Sequence, residues 1–489
     1  MARRARRAMV AAAMMAVGGC ATVATSPERD RERARAGRLA DTSVKRTSSP
    51  AEATTAIPSG SSTPVLDAWI VLALENNPTV RAARFNVQAL EHRLPQVTSL
   101  DDPVASNSIF PIPSVAPQYT LMGYMPYSGL LAQQFPWFGT LRLRGAAAAE
   151  DVKVALFELA AAQLDVVAGV KSAYHDVRFN ERALTLLREN RKLSEDFLEV
   201  AKVRYQTASA AQADVLRAEV AVADVDREIA ITASTLQQAR NDVARLLHID
   251  PGTNLESGAD SPSQTVPAEL ERLVQIATAS RPELHGRLAA VARDERAVEL
   301  ARKKFYPDFT LGGIYQDMER TNAAVSTAMG MPNIGMFVGF NIPIYHKRIQ
   351  AGVNEAIARA GADAMLYEAE RDQAHREVKD ALASARAQQN VLGLLRRVNL
   401  PASQKVFDLT RSEYQADKPG VDYLTLLSAW RERLQVELQV AQVEAELGKS
   451  LARLERAVGC RLNEEPPAPE ALSPAPPPST PGPFQEPPK

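Results

Sequence analysis

The strongest constraint on this chain is that it repeats itself. Asn77-Pro78-Thr79-Val80 opens a helical pattern and has its counterpart in Arg281-Pro282-Glu283-Leu284, 204 residues on. Phe135-Pro136-Trp137 closes an apolar stretch and matches Ile342-Pro343-Ile344, 207 residues on. Arg204-Tyr205-Gln206 followed by Asp214-Val215-Leu216 matches Glu413-Tyr414-Gln415 followed by Asp422-Tyr423-Leu424, at offsets of 209 and 208. Landmarks in one order at a nearly constant offset mean one unit written twice. Residues 65–250 form the first copy and 268–460 the second, with 251–267 as the linker.

Within each copy the hydrophobic period changes in the same order. Residues 65–93 read as helix, with Leu66, Ile70, Leu74 and Val80 among polar residues and Pro78 compatible with a break or a helix start. Residues 104–138 lose that period and gain Pro, Gly and aromatics. In the second copy Phe309, Leu311, Gly313 and Tyr315 alternate with Thr310, Gly312, Ile314 and Gln316, and Ile334 to Ile342 alternate more clearly still. A period of two means strands. Gly312-Gly313 then marks a close backbone approach.

Helical spacing returns at about 139–205. Stepping by four and three from Val152 to Leu198 lands mostly on apolar residues, a seam long enough for a coiled coil. A second helix covers about 211–248 and stops at Asp250-Pro251-Gly252; the equivalent pair is about 347–416 and 421–458, joined at Lys418-Pro419-Gly420. At ~1.5 Å per residue the longer helices reach on the order of 100 Å, which suits crossing a compartment better than filling a globule.

The chain starts with Arg3, Arg4, Arg6 and Arg7 and an apolar run from Ala8 to Val17, the order of a secretory signal, expected at 1–19. Val17-Gly18-Gly19-Cys20 resembles the bacterial lipobox, which makes Cys20 the expected lipidation site; an ordinary signal with a chance cysteine is the alternative reading. Residues 20–64 read as a lipidated N-terminus and tether, and 461–489, with eleven of the 32 prolines, as a disordered tail. No apolar run of helix-spanning length follows the signal, so any insertion in a bilayer beyond the acyl anchor must use strands.

Such strands cannot leave edges open in lipid, where unpaired N–H and C=O groups cost several kcal/mol each. Fourteen of the 27 aromatic residues fall in windows 110–138 and 305–345, as the aromatic girdles of a membrane barrel would place them. Four strands per chain are too few to close a barrel, so several chains must share one. The competing explanation for the aromatics is a soluble sandwich core.

Other classes find little support. Lys plus Arg (57) balances Asp plus Glu (58), which leaves no global field for nucleic acid. No Gly-rich phosphate loop, nucleophile elbow or carboxylate dyad is present, so no enzyme and no cofactor is expected. The six histidines lack ligand spacing, and Met122, Met125, Met329, Met331 and Met336 read as packing or lipid-facing residues; no metal site is expected.

Asn76-Asn77-Pro78 with Ala82-Ala83-Arg84, Gln134-Phe135-Pro136-Trp137-Phe138-Gly139, and Tyr205 through Asp214-Val215-Leu216, with their second-copy counterparts, together resemble the TolC family of outer-membrane efflux proteins over nearly all of 65–460. The resemblance implies a mainly α chain whose four strands close, in a homotrimer, a twelve-stranded membrane β-barrel above an α-helical tunnel across the periplasm. It implies an outer-membrane location and docking to a periplasmic adaptor and an inner-membrane pump, of the resistance-nodulation-division type or an ABC exporter. Gln133 through Gly139, continuing to Gly145, is similar to the heavy-metal cation branch. Type I secretion, and a lipid-anchored periplasmic coiled coil without a channel, are the alternatives.

In that family acidic residues ring the aperture just inside the second helix tip. Asp422 matches the first such position, and Thr425 stands at the second, which leaves fewer charges in the ring. Asp422 also suits a helix N-cap. Asp214, its mate, is expected to cap or pair at the first tip. Arg204, Tyr205, Arg411 and Tyr414 are latch candidates, because opening requires helix pairs to part; solvated coiled-coil surface is the other reading. Ala210-Ala211-Gln212 at the first tip and Lys418-Pro419-Gly420 at the second place the gate in the second copy.

Overall fold

The chain enters through two short helices, α1 (Pro64–Asn76) and α2 (Pro78–Thr98), where the sequence suggested one helical stretch with Pro78 as its break. Asn77 supplies the break. Its buried side chain accepts the Thr79 N–H at 2.9 Å, capping α2, and its amide donates to the Leu246 carbonyl at 2.9 Å. Pro78 loses nothing at the first helical position, where its missing N–H would have no partner. The computed structural model describes residues 64–109, 119–120, 123–207, 211–258, 266–267, 269–319, 332–416, 418 and 420–462. The expected signal at 1–19, Cys20, the tail beyond residue 462, Met122, Met329, Met331, Ala210 and Pro419 lie outside them.

After α2 come strands β1 (Val104–Ile109), β2 (Tyr119–Thr120) and β3 (Gly123–Phe135), then α3 (Thr140–Gln206) and α4 (Gln212–Leu247). Gly139 precedes α3 at φ 83°, a left-handed conformation that favours glycine. The order then recurs: α5 (Leu270–Ser280), α6 (Pro282–Lys303), β4 (Phe309–Glu319), β5 (Asn333–Phe340), α7 (His346–Leu394), a π-helical turn (Leu395–Asn399), α8 (Leu400–Gln415) and α9 (Tyr423–Val458).

On α3 the buried stripe runs Val166, Val170, Ala173, Val177, Asn180, Leu184, Leu187 and Ser194. Near its start α3 packs against α2 and α6, with Gly145 against Thr98 and Phe157 stacked on His285, and Leu143, Ala148 and Ala155 are buried there while Leu156 is 46 % exposed. The corresponding stripe of α7 and α8 is Ala374, Val378, Leu382, Ala385, Leu392, Leu395, Ser403, Phe407 and Tyr414. From Leu187 to Ser194 the step is one heptad; from Leu395 to Ser403 it is one residue longer. The π turn lies across that step. A π turn accommodates an added residue without rotating the helix beyond it, so the stripe stays on one face. The single helix expected over 347–416 is therefore interrupted.

The sheet is antiparallel in the order β1-β3-β4-β5, with β2 forming a short hairpin end on β3. β3 and β4, one from each copy, pair at its centre from Phe135↔Phe309 onward, and β4 pairs with β5 from Phe309↔Phe340. Along β5, Ile334, Met336, Val338 and Phe340 are exposed, Met336 at 82 %. The Phe337 ring lies on Gly312, where an added Cβ would come 2.3 Å from it, so the close approach read at Gly312 is a ring over backbone.

Several cores sit along the helices, two of them large. One joins α1, α2, α3 and α4 around Trp69 and Tyr174, whose rings meet edge-on at 5.5 Å. The other joins α3, α4, α8 and α9 around Phe407, Tyr423 and Trp430.

Candidate functional site: the helix-pair tips

The α3–α4 and α8–α9 turns fall at the same end of the molecule, because Phe197, Ala201, Ala218 and Ala221 share one core with Phe407, Tyr414, Tyr423 and Trp430. At the second turn Gly420 takes φ 97°, Lys418 pairs with Glu413 at 2.9 Å, and Asp422 caps α9. One Asp422 carboxylate oxygen accepts the Thr425 N–H at 2.9 Å and the Thr425 hydroxyl at 2.7 Å. These hydrogen bonds, the hydroxyl's first, hold the carboxyl below its ordinary value, so it is ionised throughout the neutral range. Asp422 and Thr425, one helical turn apart, are thus joined and exposed. The N-cap geometry is compatible with a further role for the charge.

Asp214 behaves differently from its mate. It lies inside the first turn of α4, caps nothing, and pairs with Arg217 at 3.1 Å; the cap position is Ala211, which has no side-chain hydrogen bond to offer.

Of the four latch candidates the fold joins two. Arg204 donates to the Tyr414 carbonyl at 2.6 Å and its guanidinium carbon lies 4.1 Å from the centre of the Tyr414 ring. This ties the last turn of α3 to the last turn of α8. Tyr414 is 6 % exposed and meets Tyr423 edge-on, whereas Tyr205, at the same place in the repeat, is 47 % exposed. Arg411 faces an open hollow of about 660 Å³ between α3, α8 and α9. Burial of Tyr423, followed by the nearby Tyr414, pushes its phenol up to about 12, so it stays neutral.

The sequence reading missed the contact beneath this site. The Trp430 indole N–H donates to the Asn190 Oδ1 at 2.8 Å, fully buried, and the Asn190 amide is anchored on Leu186 O at 2.8 Å. One of only three tryptophans on a coiled-coil helix was the available signal, since a buried indole needs an acceptor. Among the described residues no group of His, Cys, Asp and Glu is arranged to hold a metal ion, and Cys460 is half-buried. No described helix is long and apolar enough to cross a membrane.

The family model for outer membrane efflux proteins matches residues 273–460. Nodulation protein T of Rhizobium leguminosarum bv. trifolii is 22 % identical over 345 residues, covering 67 % of this chain and 70 % of that protein. Fusaric acid resistance protein FusA of Burkholderia cepacia is 24 % identical over 371 residues, covering 69 % and 68 %. Among solved structures, CusC superposes with a TM-score of 0.70 at 20 % identity, covering 85 % of this chain and 98 % of that one. The outer membrane protein VceC of Vibrio cholerae superposes at 0.68 with 18 % identity, covering 81 % and 96 %.

Proposed function

We propose that the chain, whose residues 273–460 match the outer membrane efflux protein family, is the exit duct of a tripartite export system, a homotrimer that passes substrates delivered by an inner-membrane pump through a periplasmic adaptor. It is a passive channel and not an enzyme. The observation that carries the reading is the sheet. Its end strands β1 and β5 each pair on one side only, its β5 face is exposed and apolar, and it stands at the end of helices about 100 Å long. Three copies supply about twelve strands, enough to remove every edge within lipid. A coiled-coil protein confined to the periplasm has no use for such a sheet, which disfavours the non-channel alternative.

At the other end, copies of Asp422 around a bore concentrate negative potential and favour cations. Asn caps a helix about as well as Asp, so Asp422→Asn separates charge from cap. Purified full-length protein in planar bilayers should conduct, prefer cations, and lose that preference in Asp422→Asn with its conductance retained. No conductance, with monomers in place of heat-modifiable trimers, would sink the channel reading; unchanged selectivity would remove Asp422 from the pore. Cys20, as the acylated N-terminus, adds a second hold on the outer membrane, tested by Cys20→Ser and fractionation.

The cargo is small toxic compounds or metal cations. Relatives are named for fusaric acid resistance and pyoverdine export, which favours small organic molecules, while the Gln133–Gly145 segment favours metals. A deletion strain challenged with metals, dyes, detergents and aromatic acids separates these, and type I secretion predicts no sensitivity to any of them.

A further inference from the structure

We infer that the end of the sheet nearest the long helices carries a binding collar for anionic phospholipid headgroups. The inference rests on the membrane placement proposed above. The strand register puts Phe135, Phe309 and Phe340 at one end of the sheet, so the turns into α3, out of α6 and into α7 lie side by side there.

These turns are held rigidly. The Trp137 N–H donates to Asp308 Oδ1 at 2.9 Å, and Asn341 accepts the Asp308 N–H at 2.5 Å. Trp137 stacks on Tyr306 at 5.0 Å and on Phe309 at 5.4 Å. Outside this cluster Phe138, Ile344 and Tyr345 are exposed, Phe138 at 75 %. Beside residues 344–348 lies an open hollow of about 680 Å³.

Long cations surround the same apolar rim. Lys303 Nζ is 5.6 Å from the centre of the Tyr306 ring and Arg348 Cζ is 5.7 Å from that of Tyr345. Arg142, Lys304 and Lys347 are exposed, and none of the three pairs with a carboxylate among the described residues. The one carboxylate in these three turns, Asp308, gives an oxygen to the Trp137 N–H; Asp101 and Asp102 lie at the neighbouring α2–β1 turn. Both copies of the repeat place a pair of cations just after the proline that ends the strand segment: Arg142 and Arg144 after Pro136, Lys347 and Arg348 after Pro343.

Apolar rings at the depth of the acyl boundary, with cations on flexible stems beside them, match the two ends of a phospholipid. Among the described residues no carboxylate pairs with these cations, and a headgroup phosphate supplies the counter-charge. The occupant is therefore the anionic phospholipid of the periplasmic leaflet.

The test uses the full-length protein in vesicles of phosphatidylcholine, with and without phosphatidylglycerol. Retained lipid is counted by native mass spectrometry after extraction, with conductance measured on the same preparations. The wild type should retain phosphatidylglycerol over phosphatidylcholine by about tenfold, a preference that falls at high salt. The combined Lys304→Gln, Lys347→Gln and Arg348→Gln variant should bring it near unity with conductance intact, while Arg376→Gln, far along α7, should not change it. Equal retention of both lipids by a conducting wild type overturns the collar and leaves the channel standing. Failure to conduct in either vesicle set overturns the channel reading instead. Loss of trimers in the triple variant, with lipid preference unchanged per trimer, would make the rim a contact between subunits and overturn the lipid site.

Discussion

The two long helices of the repeat, α3 and α7–α8, start from the same pattern and end in different surroundings. α3 is covered along most of its length, from Val166 to Ala201, by α1, α4 and α9. α7–α8 has one buried stripe and leaves Met365, Leu366, Leu394, Val398 and Leu409 exposed, Leu394 at 63 %. Propensity does not account for this, since both are built from the same residue classes. The difference is in neighbours. A helix with an apolar stripe that its own chain leaves uncovered is an incomplete packing unit, and the proposed trimer would complete it with the adjacent subunit.

The π turn gives the sharpest test of that comparison. Deleting Glu189 from α3 rotates everything beyond it by about 100° and takes Phe197 and Ala201 out of the tip core. It should cost more than about 5 kcal/mol, given ~3–5 for a buried Phe alone, and abolish exchange protection at the tip. Deleting Val398 from the π turn shortens the Leu395–Ser403 step to a heptad and lets the helix close as α. Thermal unfolding should then stay within about 1 kcal/mol of wild type. Equal outcomes for the two deletions would refute the assignment of the extra residue.

Next in size is His175 on α3, which the offset of this region pairs with the non-titrating Ala383 on α7. Burial first, then the positive charges of Arg178, Lys449 and Lys171, lower the imidazole from 6.5 to about 4. Folded protein keeps it neutral while unfolded protein protonates it. Stability is therefore full above about pH 6.5 and falls by about 3 kcal/mol as the pH drops toward 4. Hydrogen exchange near His175 should speed up across that window and exchange near Ala383 much less; His175→Leu should flatten the difference. The imidazole also rests on Gly448 of α9, where an added Cβ would lie 2.3 Å away. Gly448→Ala should destabilise by about 1–3 kcal/mol in a denaturant titration.

Asn190→Ala, which strands the Trp430 indole N–H, should cost about 1–3 kcal/mol. The smallest effect separates the two tips: Asp422→Ala removes a cap and should cost about 1 kcal/mol by thermal melting, against about 0.5 or less for Asp214→Ala, whose side chain only pairs with Arg217 on the surface.

Much of the fold was legible because it repeats along the chain. The helix expected at 139–205 is Thr140–Gln206, and the alternation read in 309–316 lies in β4 and that in 334–342 in β5 as far as Phe340, with Ile342 beyond the strand. The helix preceding α9 is more interrupted than its counterpart, because reading 347–416 as the equivalent of the first copy absorbs a one-residue slip within an offset that itself drifts by a residue. At the tips the sequence identified Asp422 as a possible cap, but it could not tell Tyr205 from Tyr414, which are the same residue in the same place of the repeat.

The sequence by itself determined the duplication, the order of helix and strand, and which residue types stand at the turns, since periodicity and turn chemistry are properties of neighbouring residues. Only the tertiary structure decided that β3 and β4 meet at the centre of the sheet, that Arg204 reaches Tyr414 across the two copies, and which apolar stripe stays bare. Those outcomes depend on partners some two hundred residues away, and no local pattern encodes which of two equivalent faces a distant helix will cover.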